Sequence, residues 1–326
     1  MYLSSVSNIS LVKEMTSNLM AQQRSLNLLS SQLATGIKSN NLTDYSPTDA
    51  KRLLSLSTAL TQRDAYLFSI NSAINTMSFY DVTLTDMNKV LDLAIGFSSN
   101  NTAFSELTAT TLEMQATGYL NSMTALLNQT IGGKYVYSGA RYNTTPVANL
   151  ADLPLPALPY TAVSNPDLPF YDSEYTGAGS QNAFAYVTAK STIDENYVLD
   201  YGITSNEPAF QKIIWGMRLM QEAGREGAAG NEAAYHSYLQ EATLLLRQAS
   251  LELQSLHTTV VGNNYLAESQ KQSQTTMMMN ITNQLAAIQQ VDRNEVAVKI
   301  TDLTANLQAS YSVTGTLLKL SILNYL

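Results

Sequence analysis

The chain of 326 residues has no cysteine, only two histidines, and few charges: Asp, Glu, Lys and Arg make up 13% of it, about half the roughly 25% usual in soluble domains. The absence of cysteine excludes disulfides, thiol catalysis and thiolate metal sites together. A formal charge of −8 is the wrong sign for a phosphate-binding surface, which needs clustered Lys and Arg, so no nucleic-acid partner is expected. No stretch approaches the ~18 consecutive apolar residues of a membrane span, so no membrane partner is expected either. Met1 to Met20 lacks a basic region followed by an apolar core, so no cleaved secretory signal is visible. A route out of the cell would be one that does not read such a signal.

Ser, Thr, Asn and Gln take the place of the missing charges. These side chains can be buried in hydrogen-bonded contacts without the penalty of desolvating an ion, as expected of a surface that becomes interface. The two ends show this most clearly. Val12, Met15, Leu19, Gln22, Leu26, Leu29 and Leu33 alternate spacings of three and four, and Val296, Ile300, Leu303, Leu307, Ser310, Thr314 and Leu317 do the same. That alternation is the seam of a coiled coil. Beyond Asp302 the only charged side chain is Lys319, so the outer face of the last helix is poorly suited to water.

Gly36 and the polar stretch to Thr43 end the first helix. Ser46 reads as an N-cap, Pro47 as the first helical position and Asp49 as the closing member of a capping box. A long heptad run follows from Leu53 through Leu60, Ile74 and Leu84 to Ile95, then a turn over Gly96 to Thr102 and a further helix over 103–130. From Ile131 the character changes: seven of the eight prolines lie between Pro146 and Pro208, which excludes a continuous helix. Ala183 to Val187 and Tyr197 to Ile203 read as short strands. Helix returns after Pro208, breaks in the glycine-rich Ala223 to Gly230, and resumes with Leu239, Leu246, Leu253 and Val260, with an irregularity at Gly262, before running on to the C-terminus. The expected fold is mainly α: a long antiparallel helical bundle or coiled coil, with both termini at one pole and a small β-rich insertion at the other. Residues 1–45 and 285–326 would be terminal helices forming an inner assembly core, 46–140 and 205–284 a helical rod, and 141–204 the outer insertion.

Candidate chemistry does not assemble. Gly132, Gly133 and Lys134 suggest a phosphate loop, but the glycine required five positions earlier is Asn128, and Tyr135 replaces the Ser or Thr that would bind magnesium. His236 and His257 lie far apart on one predicted helix with no carboxylate at ligand spacing, which reads as helix surface. Asp194 and Glu195 read as solvated turn carboxylates. Asn143, Thr144 and Thr145 form a glycosylation sequon, which matters only in a glycosylating secretory pathway. Met277, Met278 and Met279 are consecutive on a helix, so they cannot all face one partner and read as core and interface filler. No metal, cofactor or catalytic residue is expected, and no enzyme.

The stretch Leu28 to Leu56, LLSSQLATGIKSNNLTDYSPTDAKRLLSL, resembles the N-terminal segment of the flagellin family, where a helix ends in a glycine turn and an Asp-Pro-type start opens the next. The end, LQASYSVTGTLLKLSILNYL from Leu307, is similar to the family's C-terminal helix. Its last residues, Leu320 to Leu326, and Gly133 to Gly139, GKYVYSG, most resemble the hook–filament junction branch. Together with the flanking helices these motifs cover over half the chain. The resemblance implies an axial component of the bacterial flagellum, either a junction protein or the main filament flagellin, exported by the flagellar type III route and extracellular. It implies a homo-oligomer built through the terminal helices, with neighbouring axial proteins and an export chaperone as partners. The expected assembly residues are Val12, Met15, Leu19, Leu26, Leu29, Leu33, Val296, Ile300, Leu303, Leu307, Leu317, Leu320, Leu323, Tyr325 and Leu326. A translocator or tip protein of an injection apparatus would share the coiled coil but lack the Ser321–Leu326 ending.

Overall fold

The computed structural model describes the backbone of residues 3–140, 142–147, 155–161 and 187–323, and the side chains of the same residues except 3–12 and 317–323. Six helices dominate: α1 (Leu3–Thr35), α2 (Pro47–Asn100), α3 (Glu106–Leu127), α4 (Pro208–Ala228), α5 (Glu232–Gln289) and α6 (Arg293–Leu323). A short 3-10 turn (Leu42–Asp44) and two antiparallel hairpins complete the described elements, β1 (Thr130–Ile131) with β2 (Lys134–Tyr135) and β3 (Lys190–Asp194) with β4 (Tyr197–Asp200). The fold is the mainly helical bundle with a small β component that the heptads imply. The chain forms two compact units, residues 1–63 with 276–326, and residues 64–275.

The start of α2 forms as its residues dictate. The Asp49 amide donates to Ser46 Oγ at 3.1 Å, and Ser46 Oγ donates to Asp49 Oδ2 at 2.8 Å, so the acidic member closes the box on the hydroxyl. Its heptad positions then become core: Ile70, Ile74, Met77, Leu84 and Leu91 are buried. Asp81, the one acid on that seam, is held by His257 Nε2 of α5 at 2.5 Å. Spacing along the chain does not reveal this pair, because the two residues meet across helices. His236 also has a carboxylate near it, Glu232 one turn back on α5, at 3.6 Å from Nε2.

The break expected over Ala223–Gly230 comes at the end of that stretch, after Ala228, where Gly230 has a φ of 83°, but four other glycines expected at interruptions lie inside helices instead. α2 passes Gly96 and ends at Asn100, with the Asn101 side chain donating to the Phe97 carbonyl at 2.8 Å; a lone helical glycine costs only about 1 kcal/mol, and the buried Ala94 and Ser98 hold the last turns. α4 likewise runs through Gly224 and Gly227. A Cβ on Gly224 would meet the Glu113 amide nitrogen at 2.5 Å and the Ala109 carbonyl at 2.7 Å. These glycines are where α4 lies against α3, so they serve packing and not chain reversal. α5 crosses Gly262 without a break. The break between the last two helices lies at Gln290–Asp292, where Asp292 Oδ1 accepts from the Asn294 and Glu295 amides at 2.8 and 3.3 Å and starts α6.

In the larger unit, Trp215, Phe210, Tyr80, Tyr137 and Tyr235 are fully buried. The Gly-Lys-Tyr-Val-Tyr-Ser-Gly run builds this core and holds no phosphate loop. Gly132 (φ 58°) and Gly133 (φ 80°) are the two turn residues of the β1–β2 hairpin, a two-residue loop that needs positive φ at both. Tyr137 packs at 5.2 Å from the Tyr80 ring and edge-on to Phe210 at 5.6 Å. Its hydroxyl bonds Thr83. The Tyr80 hydroxyl donates to the Val136 carbonyl at 3.1 Å and accepts from the Ile203 amide at 3.3 Å. Burial pushes both phenols well above their ordinary range, so they remain neutral donors.

Of the two expected strands, Tyr197–Asp200 forms, inside the expected 197–203. The expected 183–187 lies outside the described residues except Val187, which is not in a strand; β4's partner is Lys190–Asp194 instead. Asp194 does sit at the turn, its Oδ1 accepting from the Glu195 amide at 2.8 Å. Three amide side chains of α5 fasten this hairpin: Gln274 to the Ile193 carbonyl (3.0 Å), Gln270 to Asp194 Oδ2 (3.0 Å) and Asn263 to the Asp200 carbonyl (3.1 Å).

Candidate assembly surface

The two ends of the chain come together as a helix pair. α1 stops at Gly36, whose φ of 74° reverses the backbone, and its amide donates to the Gln32 carbonyl at 2.7 Å. The turn after α1 is then stitched to the turn before α6. The Lys38 amide donates to the Gln289 carbonyl at 2.7 Å, the Val291 amide donates to the Gly36 carbonyl at 3.1 Å, and Ile37 pairs with Gln290 as an isolated antiparallel bridge. Arg293 covers this joint, its Nη2 lying 2.9 Å from where a Cβ on Gly36 would stand. Beside the joint, Leu53, Leu285 and Ile288 form a small core with Tyr45, Leu56, Leu60 and Ile281. The end of α1 thus meets the start of α6, and the two helices run antiparallel in contact.

The heptad positions are the covered ones on this pair. On α1, Met15, Leu19, Gln22, Leu26, Leu29 and Leu33 are half-buried, while Lys13, Glu14, Ser17, Asn18, Gln23 and Asn27 are exposed. On α6, Val296 and Leu307 are buried and Ile300, Leu303, Ser310 and Thr314 are half-buried. The side chains of Val12, Leu317, Leu320 and Leu323 and the whole of Tyr325 and Leu326 lie outside the described residues, although the α6 backbone reaches Leu323. The stripes alone do not say what each one faces; the structure gives each the other as partner.

Two helices cannot fully enclose such a seam. Of the apolar seam residues with described side chains, only Val296 and Leu307 are buried, and Met20 and Leu28 on α1 and Val298, Tyr311 and Val313 on α6 stand 50–60% exposed outside the seam. A pair of helices that is apolar on more than one face, with few charges, is complementary to further helices. Among the described residues no cluster of His, Asp or Glu is arranged to hold a metal ion, and no helix is long and apolar enough to cross a membrane.

No family model matches the sequence, and no curated protein matches it. Solved structures do. Flagellar hook-associated protein 3 from Legionella pneumophila aligns over 72% of this chain and 98% of its own, with a TM-score of 0.54 at 9% identity. FlgL from Xanthomonas campestris aligns over 76% of this chain and 99% of its own (TM-score 0.45, 11% identity), and FlgL from Bacillus cereus over 74% and 100% (TM-score 0.41, 15% identity). At such identities the likeness is one of fold. The match with the Legionella protein puts this chain in the same overall architecture.

Proposed function

We propose that this chain, which shares the fold of flagellar hook-associated protein 3, is a structural subunit of the axial structure of a bacterial flagellum, located outside the cell at the hook–filament junction. Residues 1–45 and 285–326 are the inner assembly core, and the contact residues are Met15, Leu19, Leu26, Leu29, Leu33, Val296, Ile300, Leu303 and Leu307, with Val12, Leu317, Leu320, Leu323, Tyr325 and Leu326 continuing the surface. Its partners are further copies of itself, the neighbouring axial proteins and an export chaperone. The observation that carries this reading is the half-covered seam of the α1–α6 pair. It is ordered enough to be a template and open enough to require more helices, so apolar burial between subunits drives assembly.

The test is a charge on the seam against a charge off it. Leu307 is 6% exposed in the free chain, and Leu307→Asp there leaves an unpaired carboxylate costing about 3–5 kcal/mol per subunit. Leu155→Asp, at a position already 57% exposed, changes stability by no more than about 0.5 kcal/mol. Each variant is expressed in a strain lacking the native protein, and the yield of assembled filaments is measured. Loss of filaments with Leu307→Asp alone supports the reading; equal yields overturn it.

A further inference from the structure

We draw no further inference here: the strongest candidate, the cleft between the last turn of α2 and the first turns of α5 lined by Ser99, His236, Leu239, Thr243 and Arg247, belongs to the exposed apolar face of α5 around Leu244, and nothing in the structure shows what covers that face.

Discussion

At the scale of single residues, the polar interruption of the α1 seam matters most. Gln22 occupies a heptad position where every described neighbour on the α1 seam is apolar, and its side-chain Oε1 is buried with no hydrogen-bond partner among the described residues. An unmet buried acceptor costs about 1–3 kcal/mol, and a polar residue at one seam position can fix register at the expense of stability. Gln22→Leu should therefore raise the stability of the terminal pair by roughly 1 kcal/mol, read as a shift of the thermal melt to higher temperature, and should also admit misregistered assemblies, read as polymorphic filaments in electron micrographs. A melt that moves down would show that the amide is satisfied in the native protein. The Gly36–Arg293 joint belongs to the same scale: only a residue tolerating positive φ fits under that guanidinium.

Whole helices show what could be read in the sequence and what could not. The capping box at Ser46–Asp49, the glycine stop at Gly36 and the heptads of α2 and α5 are legible because caps and periodicity are local and the structure uses them as written. The start of α6 carries a local signal too, Asp292 followed three residues later by Glu295, but it is a quiet one with no glycine or proline beside it. The meaning of the glycines in α4 is not legible, because nothing local tells a helix-ending glycine from one that admits a neighbouring helix. The glycine distinction yields a paired prediction. Gly224→Ala places a methyl against the α3 backbone, which cannot yield as a side chain can, and should cost about 1–3 kcal/mol. Gly262→Ala meets open space within α5 and should instead gain about 0.5–1 kcal/mol from helix propensity. Chemical denaturation midpoints check both, and a destabilising Gly262→Ala or a neutral Gly224→Ala would refute the packing account.

At the scale of the whole molecule, the two units differ in how completely each buries its own apolar surface. The larger one closes over a continuous core that includes Trp215 at 1% exposure, while the terminal pair leaves most of its seam half-covered. Local opening free energy follows buried apolar contact, so the terminal pair is the part that opens first. Limited proteolysis of the isolated chain should accordingly trim both ends back to a resistant core near residues 45–285, and the same dose should leave the ends intact in assembled material, where further helices cover the seam. Trp215 makes the two units separable in a single experiment. It is the only tryptophan and lies in residues 64–275, so its emission should keep the blue-shifted character of a buried indole throughout the trimming. Ends that resist protease in the isolated chain would mean the α1–α6 pair is complete by itself, and the open seam could not drive assembly. A tryptophan signal that collapses with the first cuts would mean the larger unit depends on the ends for its fold, and the division of labour between a self-sufficient body and an assembly-competent pair would be wrong.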